Sequence, residues 1–393
     1  MFADLIGHAG TADRLRRAVR EGTLAPAVLF EGPPAAGKLT AALELGRVLN
    51  CRSDGEPGCR CPSCGSHRAG QDPHVLMLGG RDFAAEIAAA AAALARADTA
   101  ATRALFVRSV RTLTRRFDEL LWAGSEPRLR RLRPRVAELE ERLEALRTDG
   151  TAEVAGDLAR SANLEAVPVN AVRAIETWAR VATPGVKVII VEVRRWLPEP
   201  ASNALLRTVE EPPARTHFIF TAPSPQALIP TLLSRLSRYR FAERSAAEQR
   251  RVIAEVFGDP EADAASVADY LAGRRAAATA AAGTSAAGAA DLQRAAAQFC
   301  DTALAGGAWD DAGIAVPADR DESFAFLQSC AEHLRSLLRS PERVAEVQRI
   351  ERWYRFLDDA AWRVKTMNMN PEATVADIAR GMAVGAEPPM RRT

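Results

Sequence analysis

Apolar residues in the first 240 positions fall into short dense runs and longer stretches of helical period, and the two kinds alternate. "PAVLFEG" (26–32), "VKVIIVEV" (186–193) and "THFIFTA" (216–222) are short, mostly apolar runs of strand length, the pattern of strands buried on both faces. "TADRLRRAVRE" (11–21), opened by Thr11, and "LTAALELGRVLN" (39–50), with Leu39, Leu43 and Val48 in phase, predict amphipathic helices. So do "NAVRAIETWARVA" (170–182) and "EPASNALLRTVEE" (199–211). Such alternation predicts a doubly wound α/β domain, a parallel sheet with flanking helices, through about residue 242.

Residues 83–150 interrupt the alternation. An alanine-rich stretch is followed by apolar residues at Phe106, Val110, Leu113, Phe117 and Leu120, then by Leu129, Leu132, Val136, Leu139, Leu143 and Leu146. With "WAGSEP" (122–127) between the two series, the spacing predicts a helical hairpin of coiled-coil type, its second helix kinked or started at Pro134. Ten arginines against three acids between 103 and 135 make its tip basic, either a solvated face or a contact for DNA or a partner. Beyond 242 the pattern is all-helical, with a low-complexity segment at 274–291 and Trp353, Phe356, Leu357 and Trp362 on apolar faces.

A net charge of +2 over 393 residues gives no global case for nucleic-acid binding. No apolar run is long enough to span a membrane and the first residues carry no signal core, so a cytoplasmic location is expected. Without a secretion signal, four cysteines within 14 residues suggest metal before disulfides. Cys51, Cys59, Cys61 and Cys64, spaced C-x7-C-x-C-x2-C, offer four soft ligands from one loop, the set that a structural Zn²⁺ requires.

"GPPAAGKLT" (32–40) matches the phosphate-loop pattern G-x-x-x-x-G-K-[ST] at Gly32, Gly37 and Lys38, between a strand and a helix. Leu39 stands at the metal-coordinating hydroxyl position. Thr40, the nearest hydroxyl, is rotated about 100° from it around a helix.

Taken together, "FADLIGHAGTADRLRRAV", "LFEGPPAAGK", the cysteine cluster after "LGRVLNC", "VPVNAVRAIETWARVATPGVKVIIVE", "SNALLRTVEEPPARTHFIFTA" and "IPTLLSRLSRYRF" resemble the AAA+ clamp-loader family of bacterial DNA polymerase III. The likeness is greatest to its delta-prime subunits, and covers about 2–65, 163–242 and, weakly, the C-terminal part, where "NMNPEATVADIA" (368–379) looks like the closing helical segment. The 83–150 hairpin has no counterpart in the family's basic pattern. The resemblance implies an AAA+ domain over 1–242 carrying the zinc module (51–64) and the hairpin. A helical lid (243–290) and an all-α collar (291–393) would follow.

It also implies a role in a five-subunit ring with tau/gamma and delta subunits, acting through that complex on the sliding clamp and primer–template DNA. Residue by residue, the nucleotide site is degenerate. The two carboxylate positions of active relatives fall on Glu192 and Val193, and Ala222 and Pro223 occupy the polar sensor region. With Leu39, these departures argue against intrinsic ATPase activity and leave Gly32, Gly37, Lys38, Thr40 and Glu192 as a site of doubtful ATP binding. "LLSRLS" (232–237) matches the family's Ser-Arg-Cys element, with Leu236 for the cysteine, so Arg235 is the candidate arginine finger toward a neighbouring subunit's ATP. The alternatives are a tau/gamma-type ATPase with an unusual loop, and a stand-alone DNA-binding adaptor working through the basic hairpin.

Overall fold

The computed structural model describes residues 1–2, 5–164, 167–194, 197–281, 286–305, 320–337, 347–366, 373–375 and 378. Five parallel strands, β1 (Ala27–Glu31), β2 (Val75–Gly79), β3 (Lys187–Glu192), β4 (Thr216–Ala222) and β5 (Ser237–Arg240), form one sheet in the order β2-β3-β4-β1-β5. Successive side chains on a strand point to opposite faces, and here both faces are covered. Leu29, Leu76, Leu78, Ile189, Val191, Phe218 and Phe220 belong to one core; Val28, Phe30, Met77, Val188, Ile190 and Ile219 belong to another. That double burial is why the strands read as mostly apolar runs.

Helices α1 (Ala9–Arg20) and α2 (Lys38–Leu49) pack on the second face through Leu15, Leu39, Ala42 and Leu45. A short helix α3 (Pro62–Arg68) lies against α2. The first face is covered by α4 (Phe83–Arg96), α5 (Ala100–Thr114), α6 (Glu126–Glu144), α7 (Thr151–Ala162), α8 (Val169–Arg180) and α9 (Glu199–Glu210), all contributing to its core.

The hairpin expected over 83–150 is therefore part of something larger. The two apolar series do fall on α5 with the turn after it and on α6, and these helices touch, but α4 and α7 pack with them. Phe106, Val110, Leu113, Leu129, Leu132, Leu139 and Leu143 are continuous with the core of the sheet and do not form an isolated seam. Pro134 sits on an exposed face inside α6, which begins eight residues before it, at Glu126.

A four-residue helix, α10 (Pro230–Leu233), leads into β5. Next come α11 (Ala246–Phe257), opened by a Ser245–Glu248 capping box, and α12 (Val267–Ala281). Both pack against α4, and the compact unit that contains them runs from Met1 to Ala282.

A second unit spans Gly283–Thr393. It is built of α13 (Ala286–Leu304), α14 (Arg320–Leu337) and α15 (Val347–Thr366) around Phe299, Phe326, Leu327, Trp353 and Leu357. Phe356 is partly buried against this core, while the side chain of Trp362 and most of 368–379 lie outside the described residues. The boundary between the two units falls at 282/283, ahead of α13. Among the described residues no helix is long and apolar enough to cross a membrane.

Candidate nucleotide pocket, metal centre and surface arginine

The phosphate-loop segment links β1 to α2, the strand–loop–helix context its sequence requires. Gly37 caps α2 in the left-handed conformation, with φ 89°. Gly32 has the Phe241 carbonyl so close that a Cβ would lie 2.0 Å from that oxygen. Both glycines are thus fixed by the protein's own packing.

The lysine is turned onto the loop: Lys38 Nζ donates to the carbonyls of Gly32 (2.5 Å) and Pro33 (2.6 Å). Burial lowers its pKa to about 8, Arg81 pushes in the same direction, and Glu192 opposes them. The loop is held from the other side by Arg244, which donates to Ala35 O (2.7 Å) and Ile6 O (2.8 Å). Leu39 is buried in the core under the sheet, and Thr40 is half-buried one position along α2.

Glu192 ends β3 beside Gly79 of β2 and Thr221 of β4. Both its oxygens face cations. One accepts from Arg116, in the short 3₁₀ helix (Arg115–Phe117) directly after α5, and the other lies 3.5 Å from Arg81. Arg81 also pairs with Glu86 of α4, whose carboxyl pKa is raised by burial. Arg116 is 2% exposed, donates to Gly79 O (3.0 Å) and Thr112 O, and lies 5.0 Å over the Phe83 ring. Burial pulls its pKa down to about 10, so it remains charged at neutral pH. Val193 is buried and donates its backbone N–H to Thr221 O, and Ala222 accepts from Gly32 N. Lys38 is bonded to Gly32 O within the loop and feels the charge of Glu192 across from it. Arg81, Glu86 and Arg116 complete this charged group, and no local motif signals them.

The four cysteine sulfurs lie within 4.8 Å of one another, with Cys51 and Cys59 3.6 Å apart. A tetrahedral Zn²⁺ with thiolates at ~2.3 Å has sulfur–sulfur edges of about 3.8 Å, so the donors fit the ion. Cys51 follows α2, Cys61 caps α3, and Cys64 is the buried residue of α3. Backbone N–H groups of Arg52 and Cys64 hold the Cys61 thiol down to about 6, favouring thiolate, whereas burial pushes Cys64 up to about 12. Arg47, buried on α2, counters that by donating to Cys64 Sγ at 3.1 Å. It is clamped in place by two bonds to Glu44 (2.7 and 2.8 Å) and one to Gly55 O (2.7 Å).

Arg235 stands apart from both sites. It follows α10 on the exposed surface, where its guanidinium donates to Glu210 Oε1 (2.6 Å) and to Thr231 O (2.5 Å). Leu236 beside it is buried and Leu232 on α10 is fully so, and they anchor the short turn that presents the arginine.

Of the ten arginines between 103 and 135, three turn inward. Arg111 donates to Ala69 O, Arg115 to the Asp72 and Val75 carbonyls, and Arg116 into the pocket. Arg128, Arg130, Arg131, Arg133 and Arg135 are exposed on α6.

A search among curated proteins finds no match. A solved structure of a DNA polymerase III gamma subunit-related protein from Thermotoga maritima is similar at 14% identity and a TM-score of 0.39, covering 95% of this chain and 99% of that one. The family profile described as DNA polymerase III, delta subunit, matches residues 7–119 and 156–245, which is more than half of the chain. That match corrects one expectation: α4, α5 and Arg116 lie inside the family's span, and the break within it is 120–155, which holds α6 and the start of α7. The chain belongs to the DNA polymerase III delta-subunit family.

Proposed function

We propose that this chain is a non-hydrolysing, delta-prime-like subunit of a clamp loader, joined in a ring with tau/gamma and delta subunits. It supports ATP-dependent loading of a sliding clamp onto primed DNA and lends Arg235 to a neighbour's ATP. The observation that carries this reading is the internal neutralisation of the phosphate-loop pocket. Hydrolysis needs a lysine free to reach phosphate and a carboxylate free to hold Mg²⁺. Here Lys38 is bonded to the loop's own carbonyls and Glu192 to Arg116. Leu39 supplies no ligand oxygen and Val193 no base to orient water.

Arg235 suits the opposite task. Its permanent charge and planar fork match phosphate oxygens, its partner Glu210 is exposed like itself, and water-exposed ion pairs exchange at little cost. The structural zinc at Cys51, Cys59, Cys61 and Cys64 would fix the loop between α2 and β2, chemistry confined to cross-linking the chain.

The test is ATP turnover, first by the isolated chain and then by a complex reconstituted with tau/gamma and delta subunits. The isolated chain is expected to show none. Turnover by the isolated chain that is lost with Lys38→Ala would restore the ATPase reading.

A further inference from the structure

We propose that Arg116 is a built-in cation occupying the metal position of the nucleotide pocket, so that a guanidinium from the turn after α5 closes this pocket to metal-bound nucleotide. The inference rests on reading residues 32–38 as a degenerate phosphate loop and is independent of any role for Arg235. In phosphate-loop enzymes the divalent ion sits between the phosphates and a carboxylate at a strand end. The carboxylate in that position here is Glu192, at the last residue of β3.

A divalent ion would need the lone pairs that Glu192 already gives to Arg116 and Arg81. The arginine cannot swing aside cheaply. Its Nε is held by Gly79 O at 3.0 Å, a second nitrogen by Thr112 O, and its face lies on Phe83. The turn carrying it is pinned by Trp122 Nε1, which donates to Arg116 O at 2.8 Å. Close packing of β2 on β3 fixes the other wall, since a Cβ on Gly79 would fall 2.0 Å from Glu192 O.

Charge points the same way. Arg81, Arg116 and the Lys38 ammonium already match the charge of Glu192 and Glu86 before any metal arrives. A divalent cation would add uncompensated positive charge to a site shielded from water, where repulsion is least screened. The metal-dependent site implied by the phosphate-loop pattern therefore does not fit these residues, for a reason separate from Leu39.

The experiment is a Mn²⁺ titration of the zinc-loaded full chain in the presence of ADP, followed by electron paramagnetic resonance. The wild-type protein is expected to take up no Mn²⁺ beyond what ADP alone binds. Arg116→Met, which frees the Glu192 oxygen that Arg116 holds, is expected to bind Mn²⁺ in the presence of ADP at least tenfold more tightly. Arg116→Met/Glu192→Gln should lose that gain. Wild-type uptake that Glu192→Gln abolishes would overturn the proposal, as would a folded Arg116→Met protein that gains nothing. If Arg116→Met fails to fold because it strands a buried carboxylate, adding Glu192→Gln should restore folding. A double variant that stays unfolded would contradict the pairing on which the inference stands.

Discussion

Two arginine–glutamate pairs in this molecule have the same chemistry and opposite fates. Arg116–Glu192 is buried at the end of the sheet, with every guanidinium nitrogen bonded and one face over Phe83. Arg235–Glu210 lies in solvent, with side chains 37% and 44% exposed. Burial makes the first pair costly to separate, because either partner alone would be an uncompensated charge in a poor solvent. Exposure makes the second cheap to separate, since water replaces whatever the partner gave up. One arginine is therefore committed to its own fold, and the other is held loosely, as the proposed finger role requires.

The comparison breaks if the two pairs respond alike to truncation. Arg116→Ala is expected to cost about 3–5 kcal/mol in urea unfolding, the typical loss when one partner of a buried pair is removed. Arg235→Ala should change the same midpoint by less than about 1 kcal/mol. Equal losses would erase the distinction.

Lys38 sharpens the picture of the closed pocket through pH. Its folded pKa of about 8 lies below the ordinary lysine value of 10.5, so the folded state disfavours the charged form. Below pH 8 both states hold the proton and the full penalty applies. Between pH 8 and 10.5 the unfolded chain binds more protons, so stability rises with pH. The wild type should gain on the order of 2–3 kcal/mol over that window relative to Lys38→Met. A flat difference between the two proteins would mean the lysine is not buried among cations.

A further effect concerns another buried arginine, Arg47, which donates to Cys64 Sγ. Partners that hydrogen-bond a metal ligand typically change affinity by about 10–100-fold. Arg47→Ala should therefore raise the rate and extent of zinc loss to a chromogenic chelator by at least tenfold, with Arg47→Lys intermediate. Unchanged zinc retention would make Arg47 a purely structural partner of Glu44.

What could be read from the sequence follows from how local each signal is. β1, β3 and β4 are legible because both faces are buried and the run is mostly apolar. β5 is not, because it is an edge strand with Arg238 exposed and Tyr239 buried, a pattern too short and polar to stand out. β2, only five residues long, lies between the cysteine loop and an alanine-rich helix that dominates its surroundings.

The loop glycines, Lys38, Leu39 and the four cysteines are consecutive or nearly so, and their chemistry is written in spacing. Arg116 is 76 residues from Glu192, and Arg47 is 17 from Cys64. Only the fold brings these pairs together. The same applies to the basic hairpin: its charge was countable, but three of its arginines are turned inward by contacts that no local pattern specifies.

The most direct test of the account is the rate of ATP hydrolysis by the complete clamp-loader assembly, reconstituted with the wild-type chain, Arg235→Ala or Lys38→Ala. A finger supplied in trans is worth about 10³–10⁵ at the site it serves. On the proposed reading, Arg235→Ala should therefore nearly silence the neighbouring ATPase site while leaving this chain folded, and Lys38→Ala should leave turnover near the wild-type value. Unchanged turnover with Arg235→Ala, or a large loss with Lys38→Ala, would contradict the account.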